Sequence, residues 1–270
     1  MRVTLNGYVV ADADVMFYRF FGYSCFSPKD IRKAAAENPE GEVLTLEINS
    51  PGGSVFAGNE MYSVLRSIGN TRTRAEIQSL AASAASYLCL GCSEVMISPV
   101  GQMAVHLPGT CTKGNRNAHL ESIQMLDSIR EGILNAYELK AQGRADRAEF
   151  RRLMDASTFL TAQRAVELGL ADGILYQDGE TPLIIPGDIT NAVGNGIQAL
   201  ANSAAGLPSA AVLREQYQQL VDAGKAPAVL KDGSAPERTP APGPVPVMKD
   251  DWRNMARLSI TRVRFCEEVI

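Results

Sequence analysis

The residue best suited to act as a nucleophile in this sequence is a serine placed among very small side chains. Ser83 stands in the segment Leu80-Ala-Ala-Ser-Ala-Ala85, where backbone and substrate could approach closely. If a buried helix starts here, its dipole would stabilise the negative charge that develops on an attacked carbonyl. A serine in a small-residue helix more often reflects close packing, so the segment alone is weak evidence for catalysis.

The chain has only two histidines, His106 and His119, which limits the choice of a general base. Pro108 disfavours helical backbone at Leu107, so we expect His106 on extended chain near a loop, where its side chain can be presented. His119 opens a long polar helix surface and is expected in solvent. The sequence therefore favours His106 as the base that would activate a serine.

The segment Asn49-Ser-Pro-Gly-Gly53 follows a predicted strand and precedes a predicted helix. Its tandem glycines permit backbone conformations in which exposed N–H groups could hydrogen-bond a peptide or an oxyanion. When such a segment stands alone, a plain strand-to-helix turn is the commoner interpretation.

The elements that must position these residues alternate between strand and helix, which predicts an α/β fold with largely parallel strands. Apolar patterns predict strands at 3–10, 43–48, 74–77, 95–98 and 102–106, with the second strand broken at 49–53. They predict helices at 28–36, 117–142, 147–155, 161–168 and 211–223, and a further helix after residue 53. Composition divides the chain into a compact block (1–177), an extension with a short helix (178–230), a Pro-rich linker (231–247) and a tail segment (248–270).

The composition narrows the possible functions. A net charge of −4 gives no electrostatic reason to expect a nucleic-acid partner. The sequence predicts no membrane span and no signal peptide, hence a cytoplasmic protein. The five cysteines lack framework spacing, and Cys89 and Cys92 are expected to be buried small residues in a reducing compartment. The sequence predicts neither a metal site nor a cofactor.

The order and spacing of these motifs are more specific than any one of them. Together with Phe159-Leu-Thr-Ala-Gln-Arg-Ala-Val-Glu-Leu-Gly-Leu-Ala-Asp172, they resemble the Clp protease (ClpP-like) family. Within that family, the glycine and serine motifs look most like the proteases of tailed phages and prophages associated with head maturation. The resemblance implies a crotonase-like spiral of βαβ units with a projecting handle helix, Asn117–Gln142. It also implies Ser83 as nucleophile, His106 as base, and an oxyanion hole made by the backbone N–H groups of Gly53 and Ala84.

The third member of the implied triad departs from the family pattern. The family's acid lies two residues before the Phe of Phe-Leu-Thr-Ala, and Ser157 occupies that position here, while Asp155 lies two residues earlier. A hydroxyl can orient an imidazole but cannot stabilise an imidazolium as a carboxylate does. We expect Asp155 as the acid, with Ser157 as the alternative; a degenerate site is a third possibility.

The resemblance implies a serine endopeptidase that hydrolyses protein or peptide substrates and forms homo-oligomeric rings of about six or seven subunits. Phage capsid or scaffold proteins would be its partners, and the host cytoplasm or an assembling prohead its location. One alternative is a crotonase-like acyl-CoA enzyme, although such sites do not need a serine followed by a histidine. The other is a catalytically impaired assembly or scaffold subunit with the same fold.

Overall fold

The fold is known from a computed structural model, which describes residues 1–68, 72–176 and 208–227. The strands are β1 (Arg2–Val9), β2 (Cys25–Phe26), β3 (Leu44–Gly53), β4 (Thr73–Ala82), β5 (Glu94–Ile97), β6 (Gln102–Val105), β7 (Thr158–Thr161) and β8 (Gly173–Ile174). The helices are α1 (Val15–Phe20), α2 (Pro28–Glu37), α3 (Val55–Ser67), α4 (Ala84–Leu88), α5 (Arg116–Ala141), α6 (Arg147–Asp155), α7 (Ala162–Glu167) and α8 (Ala210–Asp222). Among these helices none is long and apolar enough to cross a membrane.

The sheet is mostly parallel, with the strand order β2-β1-β3-β4-β5-β8. Strand β4 changes its partner along its length: Arg74–Ile77 pair with β5, and Leu80–Ala82 pair with β6. Strand β7 then runs antiparallel to β6. This alternation of strands and helices around a mostly parallel sheet confirms the predicted α/β, ClpP-like fold class.

The core lies between the sheet and the helices that follow its strands. Strand β3 is the clearest example, since Leu44, Leu46 and Ile48 are all fully buried. They pack in one cluster with residues of α3 that include Met61, as the helical periodicity after residue 53 predicts. At the start of α2, Ser27 and Asp30 form a capping box with Pro28 in the first turn, so this helix begins where its sequence predicts.

Two strands are longer than the sequence predicts. Strand β3 does not break at Asn49 but continues to Gly53, and β4 extends past Ile77 to Ala82. Irregularities in register accommodate the extra length, one of them between Ile48 and Ser50 opposite β4. The glycines that suggested a break instead allow the strand to continue through positive φ values, 93° at Gly52 and 148° at Gly53.

Helix α5, predicted as the handle, has two unlike halves. Its C-terminal half is anchored in the body, where Ile133, Leu134 and Tyr137 are buried. Its N-terminal half leaves Leu120 39%, Ile123 54% and Met125 41% exposed. The outer half of this helix therefore presents apolar side chains that the described chain does not cover.

The helix of the C-terminal extension packs on the first helix of the body. In α8, Leu213 and Tyr217 are buried, and the ring of Tyr217 meets Phe17 and Phe20 of α1 edge to face. Beside them, the guanidinium of Arg214 donates hydrogen bonds to the buried carboxylate of Asp14, one of them 2.9 Å long. The predicted linker (231–247) and tail (248–270) lie outside the described residues.

Candidate active site

Ser83 lies at the junction between β4 and α4, in a backbone conformation that residues with a side chain rarely adopt. Its φ is 53° and its ψ is −123°, close to the first central position of a type II′ turn, where glycine is the usual residue. Its N–H donates to the carbonyl of Ala104 on β6 at 2.9 Å, so the turn starts directly from the sheet. The chain thus turns sharply enough to leave the serine side chain only half-buried at the sheet edge.

A buried hydrogen-bond network below the serine holds this turn in place. The Ser83 carbonyl accepts from the hydroxyl of Ser86 at 2.6 Å and from its backbone N–H at 2.9 Å. The Ser86 oxygen is also 2.6 Å from the hydroxyl of Tyr137 on α5, and because Ser86 already donates its only proton, Tyr137 must donate here. Helix α5 is therefore tied to the turn at Ser83. The sequence predicts no role in the site for either residue, since Ser86 stands among small side chains and Tyr137 lies on the buried face of α5.

Gly52 brings the glycine segment against the serine turn. A Cβ at Gly52 would lie 2.6 Å from the Ala82 carbonyl oxygen, 2.7 Å from Ser83 Cβ and 2.9 Å from the Ala84 nitrogen. The hydroxyl of buried Ser50 fixes the segment, because it donates to the Gly7 carbonyl at 2.6 Å and accepts from the Gly52 N–H at 3.1 Å. The two motifs that the sequence places about thirty residues apart are in contact.

The two predicted oxyanion donors lie on backbone next to Ser83. The N–H of Ser54 donates to the Val9 carbonyl of β1 at 2.8 Å. Gly53 is exposed and directly follows Gly52, which lies against the backbone of the Ser83 turn. Ala84 is the first residue of α4, where the N–H has no acceptor within the helix.

His106 follows β6 and reaches the same edge of the sheet. Ala104 pairs with Ala82 across the parallel strands, so His106 and Ser83 both lie just beyond the paired residues. The Nδ1 atom of His106 is 2.7 Å from the Leu107 carbonyl oxygen. A carbonyl can only accept, so Nδ1 carries the proton and Nε2 retains a lone pair.

The surroundings of the imidazole favour its neutral form. Burial lowers the pKa of His106, and the smaller effect of the Leu107 carbonyl acts in the opposite direction, because it stabilises the protonated ring. Within the described residues no charged side chain contributes to this shift. The other histidine, His119, is exposed on α5, in keeping with its predicted position.

Ser157 lies nearer to His106 along the sheet than Asp155 does. Strands β6 and β7 pair Val105 with Thr158, so His106 and Ser157 are the next residues beyond the last pair of the two strands. Asp155 is the exposed last residue of α6. In the part of the chain that the structure covers, its carboxylate makes no hydrogen bond and no ion pair.

The described cysteines, Cys25, Cys89, Cys92 and Cys111, are all free thiols. Cys89 and Cys92 are buried, and burial raises the pKa of both thiols, that of Cys92 to about 12. Over residues 1–68, 72–176 and 208–227, no group of three or more His, Cys, Asp or Glu side chains is arranged to hold a metal ion.

The mostly parallel α/β fold, with Ser83 and His106 at the same end of the sheet, is consistent with a ClpP-like α/β protein. A sequence profile of the Clp protease family matches residues 31–178, which is more than half of the chain, and the chain belongs to this family. It is 30% identical over 141 residues to the ATP-dependent Clp protease proteolytic subunit 1 of Chlamydia muridarum, covering 50% of this chain and 71% of the relative. The subunit of the same name from Chlamydia trachomatis serovar D is 31% identical over 144 residues, covering 52% and 72%. That of Protochlamydia amoebophila is 29% identical over 140 residues, covering 50% and 66%. Membership of this family supports a peptidase activity.

Proposed function

We propose that this protein is a serine endopeptidase that cleaves protein substrates, with Ser83 as nucleophile and His106 as general base. The observation that supports this most strongly is the strained backbone of Ser83, beside a histidine whose Nε2 is free to accept a proton. Strain of this kind costs about 1–3 kcal/mol and is typical of functional sites, where the surrounding structure holds it in place.

In the proposed mechanism, Nε2 of His106 takes the proton from the Ser83 hydroxyl while the serine oxygen attacks the scissile carbonyl. The N–H groups of Gly53 and Ala84 hydrogen-bond the oxyanion that forms. His106 then gives the proton to the departing amine, which leaves an ester on Ser83. A water molecule, deprotonated by the same histidine, hydrolyses this ester and regenerates the enzyme.

The serine chemistry can be tested by labelling with a fluorophosphonate, which reacts with an activated serine. Mass spectrometry of the digested protein should place the label on Ser83, and Ser83→Ala should abolish it. The same variant should lose protein cleavage by about 10³-fold or more, while Ser63→Ala, a serine exposed on α3, should change neither. Absence of label on the folded wild-type protein would instead favour a catalytically impaired assembly subunit.

We also propose a ring-forming homo-oligomer. Proteins of this family form oligomeric rings and act on protein substrates. The exposed apolar side chains on the outer half of α5 support assembly through this helix. Light scattering should show a multimer that Leu120→Glu together with Ile123→Glu reduces to smaller species. Gln124→Glu, which adds charge at an exposed polar position of the same helix, should leave the multimer intact.

The substrates we propose are phage capsid or scaffold proteins, cleaved during head maturation in the host cytoplasm or within the prohead. The support is the resemblance of Asn49-Ser-Pro-Gly-Gly-Ser-Val-Phe-Ala-Gly58 and Ala81-Ala-Ser-Ala-Ala-Ser86 to the proteases of tailed phages. Incubating the protein with the capsid and scaffold proteins of its own genome, followed by mass spectrometry, should reveal discrete products. Identical products from Ser83→Ala, or none from the wild type, would contradict this assignment.

A further inference from the structure

The hydrogen bond at Nδ1 of His106 bears on how this histidine is kept reactive. In a Ser-His-Asp triad the carboxylate orients the imidazole, holds the proton on Nδ1 and stabilises the imidazolium that forms. Here the Nδ1–H is already donated to the Leu107 carbonyl, at 2.7 Å. The first two tasks of the carboxylate are therefore performed by a main-chain oxygen.

The residue after Leu107 restricts the direction of this carbonyl. Leu107 precedes Pro108, and the proline ring restricts the residue before it to extended backbone. The orientation of a carbonyl follows the ψ angle of its own residue, so Pro108 limits where the Leu107 oxygen can point. The acceptor is thus a built feature of the loop after β6.

The position from which a carboxylate would reach His106 holds a hydroxyl. His106 and Ser157 directly adjoin Val105 and Thr158, the last pair of β6 and β7, while Asp155 is exposed at the end of α6, without a bond to the imidazole. Burial already disfavours the protonated ring, and among the described residues no charged side chain offsets this.

We propose that the Leu107 carbonyl, positioned by Pro108, orients His106 and fixes its reactive tautomer in place of a carboxylate, and that Ser157 occupies the carboxylate position. This rests on the proposed role of His106 as base. The carbonyl dipole fixes the tautomer with the proton on Nδ1. It stabilises the imidazolium much less than a full negative charge would. The enzyme consequently reacts more slowly than the same fold would with a carboxylate at position 157. One substitution there can supply the missing charge.

The tautomer can be observed without any measurement of peptidase activity. His119→Asn leaves His106 as the only histidine, so ¹⁵N-edited spectra of this variant, recorded well above the histidine pKa, report on one imidazole. We expect the proton on Nδ1. Pro108→Ala, which frees the backbone of Leu107, should mix in the Nε2–H form. A proton on Nε2 in the otherwise unchanged chain would overturn the proposal.

The missing charge can be tested with two matched substitutions at Ser157. This residue has a φ of 48°, and Asp and Asn are the side chains that best tolerate positive φ. Ser157→Asp should raise the pKa of His106 by about one unit or more and speed fluorophosphonate labelling of Ser83 about tenfold or more. Ser157→Asn, with the same shape and no charge, should do neither.

Besides a proton on Nε2, two further results would refute the proposal. The first is a Ser157→Asp variant, folded by circular dichroism, in which neither the pKa of His106 nor the labelling rate changes. The second is a loss of about 10⁴-fold in Asp155→Asn, which would identify Asp155 as the acid. Failure of the proposed function itself looks different: Ser83 would remain unlabelled in every variant, while the ¹⁵N spectra would still report the tautomer.

Discussion

Ser83 and Ser157 are both serines with a positive φ, and each adjoins the end of a strand that pairs with β6. Ser83 has a φ of 53° with a ψ of −123° and depends on outside support, from two hydrogen bonds of Ser86 and the close contact of Gly52. Ser157 has a φ of 48° in the ordinary turn that ends α6, where its N–H donates to the Met154 carbonyl.

The difference distinguishes strained backbone at a functional residue from the ordinary backbone of a connecting turn. A positive φ alone occurs wherever a helix ends in a left-handed residue, where a side chain costs about 1 kcal/mol and needs no support from distant parts of the fold. At Ser83 the surroundings also enforce a backbone angle that glycine would adopt more readily, and the fold keeps a side chain there. We infer that the side chain at Ser83 is retained for chemistry, whereas the one at Ser157 could be exchanged.

Removing His106 should have the largest effect. His106→Ala should lower cleavage and labelling at Ser83 by about 10³-fold or more, and His119→Ala should not. Because burial lowers the pKa of His106 and the base works when unprotonated, activity should rise with pH through a midpoint below the ordinary histidine value of about 6.5. A pH–rate profile without this acidic limb, with His106→Ala still active, would leave the strain at Ser83 without a catalytic explanation.

Disturbing the support of Ser83 should have the next largest effect. Gly52→Ala adds a methyl group against the backbone of Ala82 and Ala84 and should lower the free energy of unfolding by about 3 kcal/mol. Gly41→Ala is the matched control, since Gly41 also has a positive φ, 79°, but nothing within 4 Å of the added carbon. It should cost about 1 kcal/mol. If chemical denaturation shows the same loss of unfolding free energy in both variants, contact with the serine turn adds nothing to the cost of Gly52→Ala.

The smallest effect should come from relieving the two turns themselves. Ser83→Gly removes a backbone strain of about 1–3 kcal/mol. The greater freedom of glycine in the unfolded chain costs about 1 kcal/mol. We therefore expect the free energy of unfolding to rise by about 1 kcal/mol. Ser157→Gly should change stability by less than about 0.5 kcal/mol. Thermal unfolding of both variants measures the difference directly, and a larger gain at Ser157 would reverse our comparison.

Much of this architecture could be predicted from the sequence, because local signals agree with the fold. Three helices begin and end within one residue of their predicted bounds. They are α2, the 26-residue α5, and α7, which follows Thr161. The α/β class followed from the alternation of elements. The resemblance of four ordered motifs indicated the family, which the profile match confirms.

The features that the sequence does not predict depend on contacts between distant residues, which no local pattern contains. The Asn49–Gly53 segment was predicted as a break in the strand because glycines usually end strands, yet pairing on both sides carries β3 through it. The tie from Tyr137 to Ser86 spans 51 residues. The nearness of Ser157 to His106 depends on the pairing of β6 with β7, so Asp155 as the acid stays a prediction from sequence position alone.

The contact between α1 and α8 has a consequence for how the chain is made. Arg214 and Asp14 are 200 residues apart, so at a synthesis rate of about 5–20 residues per second, α1 exists for roughly 10–40 s before α8 has been translated. During that interval the rings of Phe17 and Phe20 lack the tyrosine that later packs against them. The packing around Val15–Phe20, close to the start of the chain, can thus be completed only after α8 has been translated.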